Sequence, residues 1–330
     1  MKKKLEHLIH FALAKKTSDI HFIQEKDSLQ MQFRTEKGME DIYQDIWTKE
    51  FFEYLKFISK FDLTNPFIPQ SGQFQLEYKN KPIFCRFSII VNKEVQTGVL
   101  RILSTSLQLR IEDLTYNKKH IESLRSICSF RQGLVISIGP TNSGKTTTLH
   151  AILHEIALQK RYKIVSLEDP IEIEDPEYLQ LQINQAQGFT YEKGIEELLR
   201  HDPDIIFIGE TRNAYTAKMV IRAALTGHLV FTTLHATNGL EAILRLQDFG
   251  IPLFDLQTTL ITLLTQRLYH TKGGKTCIYE ILSKQEIQEL IETRKYPKQS
   301  KQLYQEIEQA LASGNILDPQ AEYDYQNLRG

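Results

Sequence analysis

The stretch VISIGPTNSGKTTTLHAILHEI, residues 135–156, constrains this chain more than any other. Gly139, Pro140, Thr141, Asn142, Ser143, Gly144, Lys145 and Thr146 fit the spacing G-x-x-x-x-G-K-[ST]. That spacing wraps a phosphate in backbone N–H groups, which turn inward only where glycines permit the turn and the close approach. Lys145 is then placed to reach the β- and γ-phosphates and the Thr146 hydroxyl to take Mg2+. The helix running from Thr147 aims its positive end at the anion. A strand-like run, LVISIG, precedes the loop and a helical pattern follows it, as the motif demands. The expected ligands are ATP and Mg2+.

The remainder of the second half alternates. The runs LVISIG (134–139), KIVSLE (163–168), YLQLQI (178–183), DIIFIG (204–209) and HLVFTTL (228–234) are separated mostly by helical stretches. Short apolar runs alternating with helices predict an α/β fold, a largely parallel sheet covered by helices. Such sheets build their sites at the carboxyl ends of the strands. Two acidic clusters fall at such ends: Glu168, Asp169 and Glu172 in KIVSLEDPIE, and Glu210 in DPDIIFIGETR. Glu168 and Glu210 are the candidates to handle the attacking water and the Mg2+ shell. His228 and His235 bracket the last of these runs, where a histidine can contact the γ-phosphate. His150 and His154 have helical i, i+4 spacing, but Ala151 breaks the H-E-x-x-H zinc pattern, so they read as helix-surface residues.

The first hundred residues predict a small α+β lobe over 1–104. Leu5, Leu8, Ile9, Ala12 and Leu13 form one stripe of a helix that packs on its own lobe. QFQLEYKNKPIFCRFSII reads as a hairpin. A polar stretch over 105–116 reads as a linker, and 117–330 as the nucleotide-binding domain, helical over about 250–330.

Charge and cysteine content exclude other classes. Forty basic residues against 41 acidic ones leave a formal charge of −1. No basic excess exists to drive counterion release, so direct nucleic-acid binding is not expected. Cys85, Cys128 and Cys277 are far apart with no CxxC pair, so no zinc site or disulfide framework is expected; each reads as a small buried hydrophobe in a reducing cytoplasm. No apolar run reaches the 18 or so residues of a membrane span.

The order GPTNSGKTTTL, VSLEDPIE, LLRHDPDIIFIGETR, AALTGHLVFTTLHATNG and TQRL, with TSDIH at 17–21, resembles the secretion and type IV pilus assembly ATPase family over most of 15–281. The resemblance implies a PAS-like N-terminal lobe, a RecA-like second domain, and a homohexamer with ATP between the lobes. It implies that Glu168 is the catalytic carboxylate, that Glu210 ends an atypical strand and serves metal and water, and that His235 and His228 belong to a histidine box. It also implies that Arg86 and Arg101 close on the triphosphate, where charge spreading in the transition state needs cations. The short chain with LKFISKFDL and PQSGQF is most similar to the branch that assembles the Gram-positive competence pilus for DNA uptake. That branch implies an inner-membrane platform partner, pilins indirectly, and a cytoplasmic place on the inner membrane face. GETRNAY departs from the family's GE-x-RD-x-E, with Asn213 for Asp and Tyr215 for Glu. Other readings stay open: a retraction ATPase, a nucleotide-gated scaffold with little turnover, a small-molecule kinase, and a nucleic-acid translocase.

Overall fold

A computed structural model describes residues 1–15, 17, 19–35, 38–42, 47–65, 68–78, 81–92, 95–103, 110–184 and 187–329. The chain divides into two compact units, Met1–Leu107 and Gln108–Gly330.

The first unit opens with α1 (Lys2–Ala14), which buries Leu5, Leu8, Ile9 and Ala12 and leaves Leu13 exposed. The stripe predicted from the sequence is therefore one residue narrower. Strands β1 (Asp19–Glu25), β2 (Ser28–Thr35), β3 (Gly38–Ile42), β4 (Gln70–Tyr78), β5 (Lys81–Asn92) and β6 (Val95–Leu103) form an antiparallel sheet in the order β3-β2-β1-β6-β5-β4. Ile20 and Phe22 on β1 and Met31 and Phe33 on β2 alternate inward, as a sheet with one covered face requires. The covering helix α2 (Lys49–Ile58) inserts Phe51, Phe52 and Leu55. Phe22, Phe52, Phe61 and Phe87 pack ring on ring at centroid distances of 5.5 to 6.0 Å.

The second unit begins earlier than the sequence suggests. Residues 105–109 of the expected linker lie outside the described residues, but α3 (Ile111–Leu114) buries both Ile111 and Leu114 in the second unit's core. Two apolar residues spaced by three in a polar context carry too little periodicity to be read as a helix. There follow α4 (Lys118–Ile127), β7 (Gly133–Ile138), α5 (Lys145–Leu158), β8 (Ile164–Glu168), β9 (Leu179–Gln182), α6 (Tyr191–Arg200), β10 (Ile205–Ile208), α7 (Ala214–Leu225), β11 (Leu229–Leu234), α8 (Gly239–Asp248) and α9 (Leu253–Thr259). The expected helical region over 250–330 then contains two long strands, β12 (Leu260–Thr271) and β13 (Gly274–Ser283), before α10 (Lys284–Thr293), α11 (Leu303–Ala312) and α12 (Pro319–Arg329).

The sheet order is β13-β12-β7-β11-β10-β8-β9, parallel throughout except for the antiparallel edge strand β13. Strands β7, β8, β10 and β11 are buried along their whole length and read as largely apolar runs, because both of their faces are covered. Leu134, Ile136 and Ile138 of β7 enter the core on one face, with Ile206 and Ile208 of β10. Val135, Ile205 and Phe207 enter the core on the other face, against α4 and α5. A smaller core of Tyr269, Ile278, Leu303, Ile307, Ala310, Ile316 and Ala321 seats α11 and α12 on the β12–β13 hairpin. Among the described residues no helix is long and apolar enough to cross a membrane.

Candidate active site

The carboxyl ends of β7, β8, β10 and β11 open onto one rim of the parallel sheet. They deliver, in order, the 139–146 loop, the 169–175 loop, Glu210 and His235.

The 139–146 loop has the backbone that a phosphate cradle needs. Gly139, Asn142 and Gly144 have φ of 155°, 64° and 84°, in the region that L side chains rarely adopt. A Cβ at Gly139 would stand 2.5 Å from Ser143 Oγ and 2.7 Å from the Gln266 carbonyl, so only glycine fits. Ser143 Oγ donates to the Pro140 carbonyl at 2.9 Å and pins the turn. From below, the wholly buried Gln266 of β12 braces it: Nε2 donates to the Ser143 carbonyl at 2.7 Å, and Oε1 accepts from Ser137 Oγ at 3.0 Å. Thr148 and Tyr279 share a buried hydroxyl pair at 2.9 Å beside this brace. TQRL is a sequence motif, but nothing in its pattern announces that its glutamine holds up the loop.

Lys145 opens α5 and folds back on the cradle. Its ammonium donates to the carbonyls of Gly139 at 2.9 Å and Pro140 at 2.7 Å. Burial pushes it down to about 8, while the negative charges of Glu210 and Glu172 act in the opposite sense. Thr146 and Thr147 are half-buried at the same helix start. Pro140, Thr141 and Asn142 are exposed along the outer edge of the loop.

Glu210 is the hub on the acidic side. Oε2 accepts from Arg212 Nε at 2.8 Å and Oε1 lies 3.2 Å from His235 Nε2. His235 is held below the ordinary imidazole range by burial and then by the Lys145 charge, with Glu210 opposing. Thr233 Oγ1 donates to the Gly209 carbonyl at 2.7 Å and fixes the turn that presents Glu210. Arg212 had no role in the sequence reading.

Three sequence assignments change in the structure. Glu168 is 2% exposed and turned toward α5, not toward the loop. Its Oε1 accepts from Ser166 Oγ at 2.6 Å and Gln180 Nε2 at 3.1 Å, and its Oε2 lies 3.1 Å from His150 Nε2. Glu172, four residues on, is exposed, and its charge acts on Lys145. His150 and His154 are not surface residues: His150 is 3% exposed, and His154 Nδ1 is 2.7 Å from the buried Asp175. His228 lies at the opposite rim. It precedes β11, its Nδ1 meets the Ala223 carbonyl at 3.0 Å, and its own carbonyl receives Gly133 N–H where β7 begins. The whole of β11 separates it from His235.

Arg86 and Arg101 belong to the first unit, where they are direct cross-strand partners on β5 and β6. Arg86 Nε donates to Ser71 Oγ at 3.1 Å, and Arg101 Nε donates to the buried Asp19 carboxylate at 2.7 Å. Asn213 caps α7, its side chain accepting from Thr216 N–H at 2.8 Å. Asn and Asp cap equally well, which accounts for the departure at this position.

The family model described as Type II/IV secretion system protein matches residues 1–318. The chain is 33% identical over its full length to the competence protein ComGA of Bacillus subtilis (strain 168), covering 92% of that protein. It is 35% identical over 79% of its length to the type II secretion system protein E of Pectobacterium carotovorum subsp. carotovorum, of which it spans 53%. Among solved structures, the pilus retraction motor PilT with bound ADP superposes with a TM-score of 0.77 at 23% identity, covering 97% of this chain and 96% of that one. The Legionella pneumophila ATPase DotB superposes at 0.75 with 19% identity, covering 97% and 94%. At these identities the two structures speak for the fold.

Proposed function

Since the chain belongs to the type II/IV secretion system protein family, we propose that it is an ATPase motor that powers assembly of a competence pilus. The observation that carries this is the convergence on one sheet rim of the 139–146 cradle, Lys145, the Glu210–His235 pair and Glu172. The match to ComGA along nearly its whole length, beside the half-length match to the secretion protein, favours the competence branch.

The residues present fit ATP with Mg2+. The cradle's glycines permit its backbone to turn N–H groups toward phosphate, and the Thr146 hydroxyl and the Glu210 carboxylate are the oxygen donors that a hard cation takes. Thr146 and Glu210 would hold the ion, which supplies neutralisation of the β- and γ-phosphate oxygens when bound. On phosphate binding, the Lys145 ammonium leaves two carbonyls for phosphate oxygens. His235, kept neutral by its surroundings, is suited to hydrogen-bond the γ-phosphate. Glu172, exposed on a loop over the rim, is proposed as the carboxylate that takes the proton of the attacking water, in place of Glu168. Arg86 and Arg101, paired on one sheet face, are proposed as cations for the triphosphate. The working form is proposed to be a homohexamer on the inner face of the membrane, engaging a platform protein and through it the pilins.

Steady-state ATPase assays on Glu172→Gln and Glu168→Gln test the assignment. Removing a general base costs about 10² to 10⁴ in rate, so Glu172→Gln should lose that much turnover while still binding ATP. Glu168→Gln should lose far less. The reverse order would return the base to Glu168. Light scattering with ATP and Mg2+ should give six subunits; a monomer that binds ATP without turnover would favour a scaffold.

A further inference from the structure

We propose that His150 and His154, one turn apart on α5, are positioning residues that clamp both ends of the 169–175 loop and so fix Glu172 against the phosphate cradle. The proposal rests on the ATPase function above.

Residues four apart on a helix share a face, and here that face meets a carboxylate at each end of the loop. His150 Nε2 is 3.1 Å from Glu168 Oε2, at the last residue before the loop. His154 Nδ1 is 2.7 Å from Asp175 Oδ2, at its last residue. Between them, Gln180 of β9 ties the loop down from inside. Its Oε1 accepts Asp175 N–H at 2.7 Å, and its Nε2 donates to the Ile173 carbonyl at 2.8 Å as well as to Glu168. Glu172, in the middle of the loop, is left exposed between these anchors.

The hydrogen-bond directions are consistent. Burial raises the Tyr178 phenol, so it keeps its proton and donates to His150 Nδ1 at 2.6 Å. With Nδ1 accepting, the ring donates through Nε2 to Glu168. The tautomer follows from the network.

The clamp sits on the helix that the cradle itself begins. Lys145 and His150 are five residues apart on α5, about 7.5 Å along a rigid axis. A shift of α5 when phosphate binds is therefore carried directly to the loop with the acid. Stability alone does not call for such pairs, because well-packed apolar residues usually serve a buried site at least as well. What the pairs add is a fixed direction.

The test uses the full chain with His150→Leu, His154→Leu and His154→Gln. Three quantities are read: affinity for a fluorescent ATP analogue, ATPase turnover, and hydrogen exchange of peptides spanning 169–177. Misplacing a catalytic group by about 1 Å costs up to about 10²-fold, so His154→Leu should lower kcat about tenfold and His150→Leu more. Nucleotide affinity should stay within about twofold, since the cradle is intact. Exchange over 169–177 should rise several-fold, and His154→Gln, which still donates to Asp175, should restore most of both losses. If His150→Leu does not fold, the half-buried His154 pair of variants carries the same comparison. Unchanged exchange over the loop in the leucine variants overturns the clamp. Faster exchange with wild-type kcat overturns the positioning role. A wild-type protein that binds the analogue but never turns over defeats the ATPase reading instead, and the exchange result then judges the clamp alone.

Discussion

Gln266 shows how a single amide sets the geometry of a phosphate site from beneath. It satisfies Ser137 on one side and the Ser143 carbonyl on the other, in a wholly buried place. Gln266→Leu takes the amide partner from both Ser137 and the Ser143 carbonyl, at a cost of about 2–6 kcal/mol. Chemical denaturation should register that loss, and ATP affinity should fall with it because the cradle's turn loses its floor. A variant as stable as the wild type would mean the brace is slack. The cradle residues were legible because their spacing is dictated by backbone geometry. The burial of Glu168 was not read from the sequence, although the signal was in β8. Ile164 faces the α5 side and Val165 and Leu167 the other, so a period of two sends Glu168 toward α5. His150 was misread for a related reason: its partner lies 18 residues away, beyond the reach of a helical pattern.

At the scale of elements, the β12–β13 hairpin is the main departure from the expected fold. Leu260–Leu264 is a short, mostly apolar run that a buried helix and a buried strand share, and the β-branched Ile261, Thr262 and Thr265 with Tyr269 lean toward strand. The hairpin also anchors the carboxyl-terminal helices. Glu280 on β13, 2% exposed, accepts from Leu303 N–H at the start of α11, from Thr265 Oγ1, and from the Tyr296 hydroxyl. Burial raises its carboxyl above the ordinary 4.5, those hydrogen bonds pulling the other way. The folded chain thus binds this proton more tightly than the unfolded one. The resulting stabilisation is complete below about 4.5 and is lost as pH climbs through the raised value. Thermal melts against pH should show the wild type losing ground to Glu280→Gln as pH rises from 4.5. Parallel curves for the two proteins would mean that Glu280 carries its charge in the fold at little cost.

The whole molecule is two units, each with its own core. Among the described residues, the core that contains Phe87 draws on residues 5–102, and the remaining cores draw on residues from 111 onward. Phe87 meets Phe22, Phe52 and Phe61. Phe87→Ala should therefore cost the first unit about 3–5 kcal/mol. Calorimetry should show an earlier transition for that unit alone, with the second unit's transition in place. A joint shift of both would show that the units melt as one. The division itself was visible in the sequence, since an alternating α/β pattern and a hairpin-rich lobe obey different periods. Its boundary was not, because α3 is too short to announce itself. The parallel sheet has a further practical consequence. The 139–146 cradle, Glu210 and His235 assemble at the carboxyl ends of its strands, while the turns near Arg161 and Thr226, exposed at their amino ends, lie a strand away, about 20 Å for the six residues of β11. A dye, affinity tag or surface tether attached at those turns would report on the machine while leaving its chemistry untouched.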